Sequence, residues 1–553
     1  MVGEQHISTD ADTLDSNAMA SFPPRSSLLR LPEELRIEVL KHLDVKSLIR
    51  CRMVCAALRD LVKESLQLQY NIELAADGLV DGTGCSLSVA ERYKLLLERR
   101  RRWRYLDWKR VDTFSAPAAC QAYELVDGVF ASSRGFGFLG SRHLAITRLP
   151  TLGEGVQHVE RDDIGFTARD FAMDPSQDLI ALVLTDGVTG DEDNKILVRL
   201  HTLSGNRPHP EAAIPELSVS IPSGHYDRAF IQVFDDVIGM FFWMHDPALV
   251  IWNWRTGKIV VNCVESGLPS GAYDCSFLSS RAYMITTTAA AGAIAIYTFS
   301  GDIDASPPQS APPLPTHVAQ LQLPPVKPGQ DPIRFYTHSA PSVARPTPGR
   351  PFETSGDCRL HVMELNYGER TVRFNLFLRG TTLLACIPPG VGSGASFTPV
   401  VKAWDEWGPD NTRFWPIMGG FQWLRYVHGE RIVLPAMIHG MPILAGTTTM
   451  MMYDFHVHPK RLDDPCPLTL RTDSAIADLV TEGTPIVADA VFVAPVVTRL
   501  PFMMVRKQRA VLNPDYSGFM IDHEHLVGMR DVDLDIPDME FDSTDMNVDV
   551  FTF

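Results

Sequence analysis

The sequence predicts a small N-terminal all-α module followed by a much larger, mainly β domain, and three observations lead to this fold class. Leucines recur at helical spacing between Leu28 and Tyr70. After about Val111 the helical period fades, and short apolar or alternating runs separated by turn residues replace it. At 553 residues the chain is too long for one ordinary hydrophobic core, so two or more domains are expected.

Composition and charge narrow the class of protein. With 45% hydrophobic and 21% charged residues, the composition is that of a globular chain. A formal net charge of −17 argues against a partner that is nucleic acid or an anionic membrane. The N-terminus is acidic where a signal peptide would be basic and apolar, and no run of about 20 apolar residues could span a membrane. The nine cysteines form no C-x-x-C pair, which favours a reducing compartment, cytoplasm or nucleus, without structural zinc.

The order of these patterns divides the chain into five segments. Both ends are acidic, and a proline-rich stretch interrupts the β-rich part, where prolines lack the N–H that a strand ladder needs. We expect a disordered N-terminus at 1–26, the helical module at 27–72, a helical linker at 73–110, a β-domain at 111–530 with a proline-rich loop at about 301–350, and an acidic tail at 531–553.

The helical module has more apolar surface than one face can hold. At about 100° per residue, one stripe of the first helix carries Leu31, Leu35, Val39 and Leu43. Ile37 points away from this stripe and Leu40 lies toward its edge, so the helix is apolar on two sides. A second helix is expected after Asp44, a suitable N-cap, with a stripe formed by Cys51, Val54, Cys55 and Leu58. The surplus surface must pack against the rest of this chain or against a partner, and the pattern alone does not decide between them.

The same segment resembles an F-box. It has the L-P-x-E-L start at Leu31, a leucine-rich helix end, and C-R-x-V-C from Cys51 to Cys55. It departs from the family at Leu58, where tryptophan is frequent, and at Asp44, where proline is frequent. The resemblance implies a three-helix domain that binds the Skp adaptor of a cullin-RING ubiquitin ligase, and through it the cullin and RING subunits. The adaptor-binding residues that it implies are Leu31, Pro32, Leu35, Ile37, Val39, Leu40, Leu43, Leu48 and Val54.

The linker and the β-rich part follow. Ser88 and Glu91 fit a capping box at the start of one linker helix that ends near Trp108. About 440 residues of short hairpins favour a propeller or a large sandwich. The run VIWNWRTGKIVV is typical of a blade's third strand turning at Thr256–Gly257, and similar runs lie about 45 residues later and about 50 earlier. This part resembles the degenerate WD-repeat-like propellers of many fungal F-box proteins, and we expect about seven blades, within a range of six to eight.

Four further motifs could carry chemistry or recognition. Gly135, Gly137 and Gly140 form G-x-G-x-x-G, but a strand-like run follows instead of a helix, which favours turns over a nucleotide site. Asp454, His456 and His458 share one strand face and could hold a divalent metal, although cross-strand polar contacts are the plainer interpretation. The basic run Glu98–Arg104 could contact an acidic partner or pair with the chain's own acids. Two roles, core packing or an exposed recognition surface, remain open for Trp404, Trp407 and Trp415.

The resemblance and these patterns predict a non-catalytic substrate-receptor subunit of an SCF-type ubiquitin ligase. The F-box would bind the adaptor, and the β-domain would bind an unidentified protein substrate. We expect no catalytic residue, no cofactor, no metal, and neither nucleic acid nor membrane as a partner. Two alternatives stay open: an F-box scaffold without a ligase role, and a metal-dependent hydrolase that uses Asp454, His456 and His458.

Overall fold

A computed structural model describes residues 27–553 except 136–138, 152, 186–193, 223–224, 302–313, 369–371, 391–396, 418–423, 436, 439–440, 443–449, 458–468, 472–474, 488–489, 508–515 and 531–544. The predicted disordered segment 1–26 lies outside the described residues. Contacts divide the chain into two compact units, Met1–Ile72 and Glu73–Phe553. Among the helices that are described, none is long and apolar enough to cross a membrane.

Four helices form the N-terminal part: α1 (Glu33–Leu40), α2 (Val45–Val54), α3 (Ala56–Glu64) and α4 (Leu66–Ala76), of which α4 crosses the boundary between the units. The Asp44 carboxylate accepts the Ser47 N–H at 2.9 Å and caps α2 as predicted. The predicted second helix is divided, because Cys55 is extended, with φ −158° and ψ 164°. A small core holds the first unit together, and it contains Leu40, Leu48, Leu58, Leu61, Val62, Leu68 and Ile72.

The linker helix is α5 (Val89–Tyr105), and its capping box between Ser88 and Glu91 is confirmed. Before it, β1 (Leu79–Asp81) pairs with β20 (Phe352–Thr354). Glu73 in the last turn of α4 and Asp77 just after the helix both receive hydrogen bonds from Arg100 of α5. The two helices are therefore tied within the second unit by a largely buried, charge-assisted contact.

Seven sheets, counted over the described residues, make a seven-bladed propeller. The first blade contains β3 (Cys120–Val126), β4 (Val129–Arg134), β5 (Leu144–Arg148) and β6 (Gln157–Arg161). The second contains β7 (Ala168–Asp174), β8 (Leu179–Leu184), β9 (Lys195–Thr202) and β10 (Glu216–Ser220). The third contains β11 (Arg228–Phe234), β12 (Val237–Trp243), β13 (Pro247–Asn253) and β14 (Lys258–Cys263).

The fourth blade joins β15 (Ala272–Ser279), β16 (Ala282–Thr287), β17 (Ala293–Thr298), β18 (Thr316–Gln322) and the parallel β23 (Val400–Lys402). The fifth contains β19 (Pro332–Ser339), β21 (Leu360–Tyr367), β22 (Val372–Arg379) and β24 (Thr412–Pro416). The sixth contains β25 (Val427–His428), β26 (Arg431–Pro435), β29 (Met450–Asp454), β34 (Phe502–Lys507), β31 (Ala475–Val480) and β30 (Thr469–Arg471). Shorter elements are α6 (Gly380–Leu384), α7 (Trp404–Asn411), and the hairpins β27 (Met437–Ile438) with β28 (Met441–Pro442) and β32 (Thr484–Ile486) with β33 (Val496–Thr498).

The seventh blade joins the two ends of the propeller chain. Its strands are β2 (Arg110–Pro117), β37 (Asp545–Thr552), β36 (His525–Arg530) and β35 (Tyr516–Ile521). The first propeller strand, β2, pairs antiparallel with the last, β37, from Arg110↔Thr552 to Pro117↔Asp545. Because the first and the last strand of the propeller chain pair in one sheet, this blade also closes the ring.

Two predicted segments are corrected. The expected acidic tail 531–553 contains β37, whose alternating sequence DMNVDVFT buries Met546 and Val548 against the rest of the blade. The expected proline-rich loop at about 301–350 contains β18 and β19. Prolines flank these strands or, like Pro332, occupy the first position, where a missing N–H does not break the ladder.

The repeat pattern is confirmed. The run around Ile196 is β9, the run around Trp252 is β13 and the run around Ile294 is β17. They are the third strands of the second, third and fourth blades, respectively. Gly257 makes the predicted turn with φ +74°, and a Cβ there would lie 2.4 Å from Ile214, so both conformation and space require glycine. Strands such as β8 are buried at every position, because neighbouring blades cover both of their faces.

Candidate functional site

An exposed apolar stripe runs along α1. Its members, spaced by four residues, are Leu31, Leu35, Val39 and Leu43, with exposed fractions of 37%, 50%, 45% and 37%. At the end of α2, Met53 and Val54 are exposed by 71% and 72%. Large aliphatic side chains that are this exposed and recur every four residues indicate a contact surface, although only Leu35 and Val39 lie within α1 and the other two lie shortly beyond its ends.

Two residues of the predicted adaptor-binding set do not belong to this surface. Leu40 and Leu48 are each only 1% exposed and lie in the core of the module, so they support the surface from behind and cannot touch a partner in this conformation. Ile37 is half-buried and packs against the same core, whereas Pro32 is exposed. The two apolar sides of the first helix thus have different roles, one facing the core and one facing solvent.

A groove of about 850 Å³ lies between the third and fourth blades. It is lined by aromatic residues such as Trp243 and Tyr273, and Tyr336 packs on Tyr273 at a ring-centroid distance of 5.0 Å. The exposed guanidinium of Arg228 stacks 5.2 Å from the Trp243 ring centroid and donates to the Tyr336 hydroxyl at 2.8 Å. No carboxylate of the described residues forms an ion pair with Arg228, so a preorganised cation faces solvent beside aromatic surface.

The inner strands carry a second, smaller cavity of about 140 Å³. Arg425 donates to both oxygens of the buried Glu124, and this pairing outweighs burial and raises the pKa of Arg425. Burial raises the pKa of Asp170 to about 7 and lowers that of His338 to about 4, so both groups favour their neutral forms. The cavity therefore has one strong internal ion pair and a second cation, Arg359, which donates to the Ala340 carbonyl oxygen at 2.6 Å.

The remaining motifs have structural roles. In the basic run, Arg100 pairs with Glu73 and Asp77, and Arg102 pairs with Glu98, which confirms the interpretation that these arginines meet the chain's own acids. Gly140 makes a turn with φ +72° between β4 and β5, as predicted, whereas Gly137 lies outside the described residues. Among the tryptophans, Trp404 and Trp407 are buried in the core and Trp415 packs beside it.

The proposed metal trio of a hydrolase is not assembled in the described residues. The Asp454 carboxylate accepts from Arg431 Nε at 3.0 Å and from the His456 N–H at 2.9 Å, so both of its oxygens are engaged. His458 lies outside the described part of the chain. The ring of His456 instead faces Glu430 and Cys358, two residues that the sequence did not single out.

The family model of the F-box domain matches residues 28–67. No curated protein matches the chain. Among solved structures, Kluyveromyces lactis Hsv2 is similar with 14% identity over 33% of this chain and 57% of that chain, and with a TM-score of 0.23. The WD40 β-propeller domain of Doa1 has 8% identity over 49% of this chain and 68% of that chain, with a TM-score of 0.24. A mitotic checkpoint complex has 8% identity over 81% of this chain and 91% of that chain, with a TM-score of 0.30.

The match to Hsv2 spans only 57% of that chain, and TM-scores this low add nothing to what the sheet order of this chain already gives. The helical segment with its matching family model lies before seven blades that are closed by the pairing of β2 with β37. The chain is therefore an F-box protein, with an N-terminal F-box followed by a seven-bladed β-propeller.

Proposed function

We propose that this protein is the substrate-receptor subunit of an SCF-type cullin-RING ubiquitin ligase. The observation that carries the proposal is the stripe of Leu31, Leu35, Val39 and Leu43, which stays exposed beside a module core that is already filled. F-box domains in general bind Skp adaptors. In this chain the stripe, with Pro32 and the end of α2 around Val54, is the surface that would meet the adaptor.

The stripe supports a helix-to-helix contact. Fully burying a leucine or valine side chain stabilises by about 1.5–3 kcal/mol, so covering the exposed part of each member would contribute roughly 1 kcal/mol. Four members and the two residues at the end of α2 together supply on the order of 5 kcal/mol, before the entropic cost of association. Because association itself costs a comparable or larger amount, a stable complex would need every one of these side chains together with further contacts around them.

The substrate would be held by the propeller, and the groove beside Arg228 is the surface that we propose for it. Aromatic rings supply contact area at a low entropic cost, and an unpaired guanidinium recognises carboxylate or phosphate groups. A partner segment that places one carboxylate or phosphate at Arg228 and uncharged residues in the groove fits both features, because Asp246 and Glu265 line the groove itself. Replacement of Arg228 by Glu would reverse the charge and should release such a substrate without unfolding the propeller.

The mechanism of a receptor is proximity. With the adaptor bound to one module and the substrate to the other, a lysine of the substrate would be held within reach of a ubiquitin-loaded enzyme. The chain itself would provide binding and orientation, and bond chemistry would take place on other subunits. The described residues accordingly need no nucleophile or general base for this role.

Two experiments test the proposal. Affinity purification of the full chain and of a chain lacking its first 72 residues, the first compact unit, should recover the adaptor only with the former, and substrate candidates with both. A reconstituted ubiquitylation assay on the recovered partners should then show chain-dependent modification. Adaptor binding without any modification would favour the alternative of a scaffold, and failure to recover the adaptor with the full chain would exclude both roles.

A further inference from the structure

Three potential metal ligands from distant parts of the sequence meet on the propeller. They are the thiol of Cys358, the carboxylate of Glu430 and the imidazole of His456, and their ligand atoms all lie within 4.8 Å of one another. Cys358 precedes β21 of the fifth blade, Glu430 is in the turn between β25 and β26, and His456 follows β29 of the sixth blade. Glu430 is buried and the other two are half-buried, so the cluster is largely shielded from solvent.

The hydrogen bonds of this cluster leave the Cys358 thiol loosely held. His456 Nε2 lies 3.1 Å from the Ala75 carbonyl oxygen, which can only accept, so Nε2 carries a proton. The opposite nitrogen, Nδ1, faces both Glu430 Oε2 at 2.9 Å and Cys358 Sγ at 3.9 Å. One ring nitrogen offers a single proton or a single lone pair, and therefore cannot serve both groups well.

A metal ion among the three atoms would bind all of them at once. In a tetrahedral zinc site with Zn–N, Zn–O and Zn–S distances of about 2.0–2.3 Å, neighbouring ligand atoms are roughly 3.3–3.6 Å apart. The separations of 2.9 and 3.9 Å lie on either side of that range, so small side-chain rotations would reach it. A thiolate and a carboxylate would also neutralise the two positive charges of the ion.

The surroundings have the features of an outer shell. A ligating histidine commonly donates its other N–H to a backbone carbonyl, as His456 does to Ala75 near the end of α4. Arg379 Nε lies 3.4 Å from Glu430 Oε2 and can hold that carboxylate in place. Gly78 passes directly over the cluster, where a Cβ would lie 3.0 Å from Cys358 Sγ and 3.3 Å from His456 Cε1.

We propose that Cys358, Glu430 and His456 form a structural Zn²⁺ site that links the fifth and sixth blades and the end of α4. The thiolate excludes Mg²⁺ and Ca²⁺, which prefer oxygen ligands, and the mixture of sulfur, nitrogen and oxygen is typical of zinc. Three protein ligands leave one of the four positions for water. On binding, the protons of the thiol and of Nδ1 pass to solvent. The site does not depend on the proposed ligase role.

A second cluster in the described residues shows by contrast what a metal site requires. His143, Glu160 and Asp162 are also close together, but Glu160 and Asp162 are exposed. His143 Nδ1 accepts the Arg134 N–H at 3.1 Å, so Nε2 holds the proton and directs it at Glu160, 2.8 Å away. Neither nitrogen of His143 is open to a metal, and this cluster supplies a control.

The test uses the full chain, purified without a polyhistidine tag. We expect about one zinc per chain by elemental analysis, a thermal midpoint that falls on chelation and recovers with added Zn²⁺, and a sulfur-to-metal charge-transfer band when Co²⁺ replaces zinc. Cys358→Ser should abolish the band and weaken zinc affinity by more than the roughly 10–100-fold that loss of an outer-shell partner costs. Arg379→Gln should fall within that smaller range.

Two controls complete the design. Cys386→Ser removes another half-buried thiol, and His143→Gln alters the surface cluster, and both should keep full zinc content and the cobalt band. If the folded, chelator-stripped wild type takes up no zinc at an excess of the ion, the three side chains form a hydrogen-bonded cluster only, and the proposal is wrong. Undiminished zinc affinity in both Cys358→Ser and Glu430→Gln would equally overturn it.

Discussion

Replacement of two residues in the middle of the exposed stripe, Leu35→Asp with Val39→Asp, tests the adaptor surface most directly. Leu35 and Val39 are 50% and 45% exposed, so covering their remaining surface contributes about 2 kcal/mol together. Aspartates would lose this contribution and would also place two uncompensated charges in a desolvated contact, which costs several kcal/mol more. We expect adaptor affinity to fall by at least about 100-fold, since each 1.4 kcal/mol is tenfold.

The assay is a titration of purified adaptor into the full chain, followed by calorimetry or interferometry. Stability should fall by only about 1–2 kcal/mol, because about half of each side chain is already covered and neither belongs to the module core. A matched control is Val159→Asp on β6, which alters a valine exposed to the same 50% on the propeller and should leave affinity unchanged. If the double variant retains wild-type affinity while remaining helical, the adaptor does not bind this stripe.

Four further outcomes are expected. Leu48→Ala, which empties part of the module core, should lower the free energy of unfolding of that unit by about 2–5 kcal/mol in denaturant titrations. Folding raises the pKa of Asp170 from 3.8 to about 7 and so favours the protonated carboxyl group. The contribution of this group to the free energy of unfolding is therefore fully present below about pH 4 and is lost as the pH rises to 7. Asp170→Asn should therefore equal wild type near pH 4 and exceed it by about 1–3 kcal/mol at pH 8 in the same titrations. Asp549→Ala should cost at least about 2 kcal/mol, measured by thermal unfolding, because Asp549 accepts from Tyr516, Thr113 and Arg530 across the closing blade. Truncation after Arg530 should remove cooperative unfolding of the propeller in calorimetry, and an unchanged transition would show that β37 is dispensable.

In the helical module, periodicity alone predicted the exposed stripe correctly but placed one helix boundary wrongly. A spacing of four residues predicted the stripe from Leu31 to Leu43, and the structure leaves that row exposed while the other side of α1 faces a core. The same reasoning continued the second helix through Cys55, where the chain is extended. An apolar pattern can run unbroken across such a corner, because α2 and α3 both bury leucines in one small core, and only backbone geometry reveals the break.

In the propeller, local alternation was more informative than composition. The third strands were recognised from their own sequences, and about seven blades followed from their spacing. Composition, by contrast, was misleading. The acidic segment was predicted as a tail although it contains β37, and the proline-rich segment was predicted as a loop although it contains β18 and β19. A strand that is covered on one face needs only every second residue to be apolar, so DMNVDVFT can be rich in aspartate and still bury Met546 and Val548.

The cluster of Cys358, Glu430 and His456 shows a different limit of sequence analysis, because the spacing of the cysteines gives no sign of it. Metal motifs are recognised from ligands that are close in sequence, so the absence of C-x-x-C pairs predicted no structural zinc. A propeller brings together the ends of strands from adjacent blades, and Cys358 thereby meets Glu430, which follows it by 72 positions, and His456, which follows it by 98. The period-two pattern of Asp454 and His456 drew attention to the correct strand, but Asp454 is held by Arg431, and the partners of His456 come from neighbouring loops. In a fold made of repeated sheets, ligand sets are therefore to be sought among residues at equivalent ends of adjacent blades, where chain distance carries little information.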